Sequence, residues 1–147
     1  MTAKSSLTVR AFKIEDMEKI LEIEEQAFPK TPYSEEILLD YGNRPSNKFV
    51  VLEVGQDILG YIMFSEGGHI ISTAVKPAQR RKGFGRMLFI HALRHTEKRL
   101  WLEVRSRNKS AIGFYKNMGM NKIGKTRNYY GDDDALIMVL GEKTEER

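Results

Sequence analysis

The sequence predicts a mixed α/β (α+β) domain, on three observations. Short β-branched and aliphatic runs alternate with segments of helical period along the chain. Glycine, proline and Asn/Asp clusters separate them at the places where turns are needed. From His69 to Arg94 a strand, a basic glycine-containing loop and an apolar helix follow one another without interruption. A chain of 147 residues with no internal repeat, linker or low-complexity segment is expected to form one domain spanning 1–147.

Leu7 to Phe12 reads as the first strand, with Leu7, Val9 and Ala11 on one side. Asp16 to Phe28 reads as an amphipathic helix opened by Asp16. At about 100° per residue, Met17, Ile20, Leu21, Ala27 and Phe28 share a face. Glu24 falls inside that apolar arc. It either lines a cleft, where a carboxylate could bind an incoming ammonium, or snorkels at a frayed helix end. Pro29 and Pro32 break the helix, and Ser34-Glu35-Glu36 starts a second one. Asn43 to Asn47 is a turn. Lys48 to Val54 and Ile58 to Ser65 form a hairpin around Gly55-Gln56-Asp57. Gly67-Gly68 then turns the chain into the strand Ile70 to Val75.

Gly83 to Glu97 is the central helix, Leu100 to Arg105 a strand, and Ser110 to Met118 a helix stopped by Gly119. Met120 to Tyr130 and Ala135 to Leu140 are a final strand pair around Gly131-Asp132-Asp133-Asp134, and the charged tail Gly141 to Arg147 is expected to be loose. The order is βααβββαβαββ.

Bulk properties exclude several classes. Hydrophobic residues at 41% and charged residues at 30% are ordinary for a soluble globular protein. The absence of cysteine excludes disulfides, thiolate nucleophiles and cysteine metal sites. Met1 to Val9 lacks an apolar signal core, and no run reaches the roughly 20 apolar residues of a membrane span, so a cytoplasmic location without membrane partners is expected. The net charge of +4 is unevenly spread: residues 79–109 hold ten Lys/Arg and two acids, a local +8, leaving −4 elsewhere. A basic middle on an acidic body suits a polyanionic ligand.

The chemistry concentrates in the loop Gln79-Arg80-Arg81-Lys82-Gly83-Phe84-Gly85. Gly83 and Gly85 allow close backbone approach, the helix start offers unpaired N–H groups, and Lys76, Arg80, Arg81, Lys82 and Arg86 supply charge for a phosphate or pyrophosphate. By itself the segment also fits a solvated basic turn. A dinucleotide fingerprint would need glycine or alanine where Leu88 stands, and a mononucleotide P-loop would need Gly-Lys followed by Ser or Thr. The remaining pattern, R-x-x-G-x-G on Arg80, Gly83 and Gly85, resembles the acetyl-CoA loop of the GNAT acetyltransferase superfamily.

Two further segments resemble the ribosomal-protein and Ard1-type N-terminal acetyltransferases within that superfamily. One is Leu102-Glu103-Val104-Arg105 through Asn108 to Ala111-Ile112-Gly113-Phe114-Tyr115. The other is Asn128-Tyr129-Tyr130 followed by Asp133-Asp134-Ala135-Leu136-Ile137-Met138. The resemblance implies a GNAT fold, a central mixed sheet of six to seven strands flanked by about four helices. It implies acetyl-CoA as cosubstrate, held by Ala74, Val75, Arg80, Arg81, Lys82, Gly83, Phe84, Gly85, Arg86, Asn108 and Tyr115. No metal is expected.

The implied reaction is attack of an amine on a thioester. An α-ammonium has an unperturbed pKa near 8, so a modest base suffices, acting directly or through water. Glu103 is the candidate base; its alternative is a salt bridge to Arg105 or a loop cation. Tyr115 is the candidate acid for the departing thiolate; its alternative is an aromatic packed in the core. Asn108 is expected on the pantetheine arm, and it also fits a helix N-cap. Phe28-Pro29-Lys30-Thr31-Pro32-Tyr33-Ser34 looks like the substrate-side loop of these enzymes, giving Glu24, Phe28, Pro29, Tyr33, Tyr129 and Tyr130 as candidate acceptor contacts. For the tyrosine pair the alternative is cross-strand aromatic packing. Two features depart from the pattern: Gly113 weakens the helix carrying Tyr115, and Lys30-Thr31 lengthens a loop that is a tighter Pro-Trp-Ser in the bacterial type.

His69 reads as a turn residue, and His91 with His95 as an exposed helical pair without a metal motif. The expected acceptors are protein N-termini, of ribosomal or nascent chains, with the enzyme a monomer or weak homodimer. Lysine side chains, polyamines or other small amines are the alternative acceptors. A non-catalytic nucleic-acid or ribosome-binding module is the rival from another class, and without an RNA-binding aromatic motif nucleic acid is not the expected partner.

Overall fold

The computed structural model describes residues 6–141. Its first half is an antiparallel meander in which β1 (Leu7–Ala11), β2 (Asn47–Val54), β3 (Asp57–Ser65) and β4 (Ile70–Val75) lie side by side in that order. The β2–β3 hairpin is one residue tighter than the sequence suggests. Val54 faces Asp57 across Gly55-Gln56, with Gly55 at φ +65°. The second half pairs β5 (Leu100–Arg105), β7 (Ala135–Leu140) and β6 (Asn121–Thr126), also antiparallel, with β7 in the centre. The helices are α1 (Met17–Ala27), α2 (Glu35–Gly42), α3 (Phe84–Arg94) and α4 (Lys109–Asn117). Seven strands and four α-helices therefore stand among the described residues, in the expected order. The sheet itself is divided into four strands and three.

The division lies between β4 and β5. Just before β4, His69 forms an isolated parallel bridge with Trp101, and the Trp101 N–H donates to the Gly68 carbonyl over 2.9 Å. Gly68 makes this approach possible. Its φ is +104°, and a Cβ there would sit 2.2 Å from the Arg99 carbonyl oxygen. Beyond this bridge no ladder joins the outer edge of β4 to β5, which leaves backbone donors and acceptors facing a gap.

Each face of the sheet carries its own core. On one face Leu88, Phe89 and Ala92 of α3 and Tyr115 of α4 pack with Leu52, Ile62, Phe64, Leu100, Leu102 and Met138. On the other, Met17, Ile20 and Ile23 of α1 and Leu38 of α2 pack with Val51, Tyr61 and Met63. Because side chains alternate along a strand, β3 feeds Ile62 and Phe64 to the first core and Tyr61 and Met63 to the second, so Ile58 to Phe64 holds only buried side chains and Gly60. A fully buried aliphatic side chain here contributes about 1.5–3 kcal/mol.

Several boundaries differ from the sequence reading. Asp16 does not cap α1 forward. Its carboxylate accepts from the Lys13 N–H (2.8 Å) and from both terminal nitrogens of Arg10 (2.8 and 3.0 Å), and the Arg10 Nε donates to Glu53. These Arg10 bonds hold Asp16 below the usual carboxylate range, with the backbone donor helping. The central helix ends at Arg94, not Glu97, and β6 ends at Thr126, so Tyr129 and Tyr130 belong to a loop instead of a strand. The tail past Gly141 lies outside the described residues. Among the described residues no helix is long and apolar enough to cross a membrane.

Candidate active site

The basic loop joins a strand to a helix, in the order the sequence suggests. β4 ends at Val75, a single 3₁₀ turn (Pro77–Gln79) follows, and Arg81 (φ +65°) and Gly83 (φ +87°) turn the chain into α3. Gly83 occupies the N-cap without a side-chain cap, and the first helical bond runs from the Met87 N–H to the Gly83 carbonyl. The N–H groups of Phe84, Gly85 and Arg86 are therefore available at the positive end of the helix. Gly85 lies against the Phe114 ring and Val75, so the loop, the end of β4 and α4 meet there. Arg80, Arg81, Lys82 and Arg86 are exposed and have no carboxylate partner among the described residues; Lys82 donates to Gln79 over 3.2 Å. Ala74 and Val75 are half-buried on the rim of the gap. Asn108 caps α4, its Oδ1 accepting from the Ala111 N–H at 3.1 Å, which leaves its N–H₂ pointing elsewhere. Despite Gly113, α4 is continuous.

Glu103 and Tyr115 lie on opposite faces of the sheet. Along β5, Leu100, Leu102 and Val104 are buried toward α3 and α4, whereas Trp101, Glu103 and Arg105 face the other way. The Glu103 partner is neither Arg105 nor a loop cation. It is His69, whose Nε2 lies 2.9 Å from Oε1 and whose ring stacks on Trp101 with centroids 3.9 Å apart. Sequence reasoning missed His69 because it reads as a turn residue. The one available signal was its place immediately before the strand that feeds the basic loop. Tyr115 is buried between Phe89 and Phe114, and burial pushes its phenol up to about 12. Its hydroxyl meets no protein partner among the described residues, although a buried tyrosine usually finds one.

On the face bearing Glu103, two loops form lips. Tyr33 leans on Tyr41 at 6.0 Å, and its phenol is pushed up to about 12, first by burial and then by Tyr41 and Glu24. Tyr129 and Tyr130 pack edge to face at 4.9 Å in the opposite loop; both phenols are raised, chiefly by burial, and feel the Glu103 charge. These phenols stay protonated near neutral pH and remain hydrogen-bond donors. Phe28 is half-buried at the end of α1, and Pro29 is exposed beyond it.

Arg105, which the sequence reading left as a possible partner for Glu103, ties the lips together. It donates to Asp132 (2.6 Å) and to Thr31 (3.2 Å) and lies over the Tyr130 ring at 4.4 Å. Asp133, read as a turn residue, holds the second lip by accepting from the Ser106 hydroxyl and the Arg107 and Asp134 N–H groups. Glu24 is buried but does not face open space. Oε1 accepts from the Tyr33 N–H at 2.8 Å, while the Tyr61 hydroxyl and, at 3.5 Å, the Ser72 hydroxyl donate to Oε2. Both oxygens are thus engaged by protein donors, and at 1% exposure the carboxylate does not meet an incoming ammonium directly. Burial raises the Glu24 carboxyl above its ordinary value.

His91 is half-buried against Phe64 and His95 stacks on it at the helix end. Among the described residues no group of three or more His, Cys, Asp or Glu is placed to hold a metal.

Comparison with known proteins supplies the relatives. The profile of the acetyltransferase (GNAT) family matches residues 14–120. The ribosomal protein bS18-alanine N-acetyltransferase of Escherichia coli (strain K12) is 32% identical over 149 residues, covering 90% of this chain and 96% of that protein. The crystal structure of the ribosomal-protein-S18-alanine N-acetyltransferase from Escherichia coli superposes with a TM-score of 0.81 at 28% identity, covering 96% of this chain and 100% of that one. Ard1 from Thermoplasma volcanium gives a TM-score of 0.81 at 30% identity, covering 90% and 95%.

Proposed function

The chain belongs to the GNAT acetyltransferase family, and from that premise we propose that it acetylates the N-terminal α-amine of proteins, with acetyl-CoA as donor. The observation that carries the reading is the placement of Glu103 and Tyr115 on the two faces of a sheet that is open between them.

The residues fit the coenzyme. The N–H groups of Phe84, Gly85 and Arg86, with the cations Arg80, Arg81, Lys82 and Arg86, suit a pyrophosphate. The unpaired edges of β4 and β5 suit the two amides of a pantetheine arm, with the Asn108 N–H₂ as a further donor. Acetyl-CoA supplies a thioester carbonyl in the gap. The acceptor enters between the Tyr33 and Tyr129–Tyr130 lips, on the Glu103 face. Glu103 accepts the proton that the α-ammonium gives up, directly or through one water, and His69 Nε2 shares that proton across the 2.9 Å bond. As the C–N bond forms and the C–S bond breaks, the nitrogen gives up its second proton to solvent on the Glu103 side, and the Tyr115 hydroxyl donates its proton to the departing sulfur from the opposite face and regains one from solvent. Burial keeps the phenol protonated and able to donate, and because a thiolate is a stable leaving group it needs little more than that donor as the C–S bond breaks.

The bS18-alanine specificity of the Escherichia coli relative favours a ribosomal protein N-terminus as acceptor, which would set the enzyme's work in the cytoplasm. An α-amine also suits a modest base better than lysine, whose pKa near 10.4 leaves little free base. The test uses two peptides, one with a free Ala- or Ser-led N-terminus and no lysine, the other with a blocked N-terminus and one lysine. Acetylation of the first alone is expected. Acetylation of the second alone moves the acceptor to lysine. If neither reacts, polyamines become the acceptors to try. A chain that shows no thermal shift with acetyl-CoA refutes the reading as a whole.

A further inference from the structure

We propose that Glu24 is a positioning residue: it clamps the 28–34 loop onto β3 and β4 and so sets affinity for the acceptor's leading residue. The inference rests on assigning the Tyr33 face to the acceptor. The position is unusual for a carboxylate. Helix α1 turns Met17, Ile20 and Ile23 into the core, and Glu24 shares that face at 1% exposure. A leucine would suit the packing. Among the described residues no cation lies within ion-pairing distance of it.

What the carboxylate meets is four elements at once. It sits on α1, accepts the backbone N–H of Tyr33 in the α1–α2 loop at 2.8 Å, accepts the Tyr61 hydroxyl of β3, and is reached by the Ser72 hydroxyl of β4 at 3.5 Å. Tyr61 and Ser72 are themselves 2.7 Å apart, closing a ring of hydrogen bonds. The only loop atom in that ring is the Tyr33 backbone N–H, and the next atoms outward are the Tyr33 side chain, which walls the acceptor channel against Tyr41. Residues 29–32 carry two prolines and no regular structure, and the backbone bond from the Thr31 N–H to the Phe28 carbonyl, at 3.2 Å, is long. The position of this wall therefore depends on the Glu24–Tyr33 bond and on the Arg105–Thr31 bond at the exposed end. An apolar residue at position 24 would satisfy α1 and leave the wall untethered.

The test compares E24L, E24Q and Y61F/E24L. E24Q keeps an acceptor for the Tyr33 N–H, whereas E24L removes it. Y61F/E24L also removes the phenol that E24L strands, which protects against simple misfolding. Expected for E24L is a KM for the α-amine peptide raised about tenfold or more, with kcat changed less than threefold and the acetyl-CoA KM unchanged. Discrimination among leading residues should narrow. E24Q should return the peptide KM to within about threefold of the parent. Hydrogen exchange at the Tyr33 amide should quicken in E24L and not in E24Q. This readout is independent of which amine is acetylated, so a wrong acceptor class and a wrong clamp are distinguishable. Unchanged Tyr33 exchange in both leucine variants overturns the proposal. So does a parallel loss of peptide affinity, coenzyme affinity and thermal stability, the mark of a purely structural residue.

Discussion

Replacing Gly68 by alanine should be among the most damaging methyl additions in the molecule. The new Cβ would lie 2.2 Å from the Arg99 carbonyl oxygen and 3.1 Å from its carbon, so the chain must part there by about 1 Å to reach ordinary contact. Three costs combine. Holding alanine at φ +104° costs about 1 kcal/mol. Breaking the Trp101-to-Gly68 hydrogen bond costs about 1 kcal/mol. Displacing a packed segment costs about 1–3 kcal/mol. The sum is about 3–5 kcal/mol, which lowers Tm by roughly 6–20 °C for a chain of this length. Gly83→Ala is the control. Its φ of +87° carries the same backbone penalty, but nothing lies within 4 Å of the added carbon, so a loss of only about 1 kcal/mol, roughly 2–4 °C, is expected. Thermal and urea denaturation of both variants decide the matter. Equal losses, or a Gly68→Ala protein within 2 °C of the parent, would refute the steric reasoning.

Other substitutions follow from the site. Tyr115→Phe should lower kcat about 10²-fold with little change in coenzyme affinity, and should leave Tm equal or raised because the lost hydroxyl has no protein partner among the described residues; a lowered Tm with parental kcat would contradict the acid role. Glu103→Gln should lower kcat about 10²-fold and His69→Ala about tenfold, and the double variant should match Glu103→Gln alone, since His69 acts through Glu103; fully additive losses would separate the two residues. Arg10→Ala should cost about 1–2 kcal/mol at neutral pH by freeing Asp16 and Glu53. Asp16 is depressed in the folded state, so its pairing stabilises above the ordinary value of 3.8 and the benefit is lost as pH falls through the lower folded value. The gap between parent and Arg10→Ala, read from urea midpoints, should therefore be constant above about pH 5 and close in more acidic solution; a gap that widens in acid would contradict this sign.

Period and punctuation made most of the fold legible. Ile70 to Val75 and Leu100 to Arg105 have the limits that their β-branched and alternating patterns suggest, and Ser34 caps α2 with its hydroxyl on the Ile37 N–H. The strand–loop–helix geometry at Arg80 to Arg86 was legible because it depends on glycines and backbone. Contacts between side chains distant in sequence were not. The His69–Glu103 pair spans 34 residues, the Arg105–Thr31 bond 74, and the Glu24–Ser72 contact 48. Local pattern marked Glu24 as out of place on its helix face without showing which donors meet it. Tyr129 and Tyr130 looked like strand residues because aromatics favour strands, yet Asp133 and Asp134 bind the loop's own backbone and end β6 early.

The division of the sheet also bears on how the chain assembles. β2, β3 and β4 are joined by short turns, and β6 and β7 by one loop, so these pairings form between neighbours in sequence, whereas β1 reaches β2 and β5 reaches β7 across longer stretches of chain. Such local pairings form quickly, and long-range ones slowly. The two halves then meet, among the described residues, through the Trp101-to-Gly68 backbone hydrogen bond, the side-chain bonds His69–Glu103 and Arg105–Thr31, and the packing of α3 and α4. In refolding, the β2–β3–β4 and β6–β7 ladders should therefore acquire protection before the Trp101 amide does. That one proton marks the moment at which two folded sheets become an enzyme.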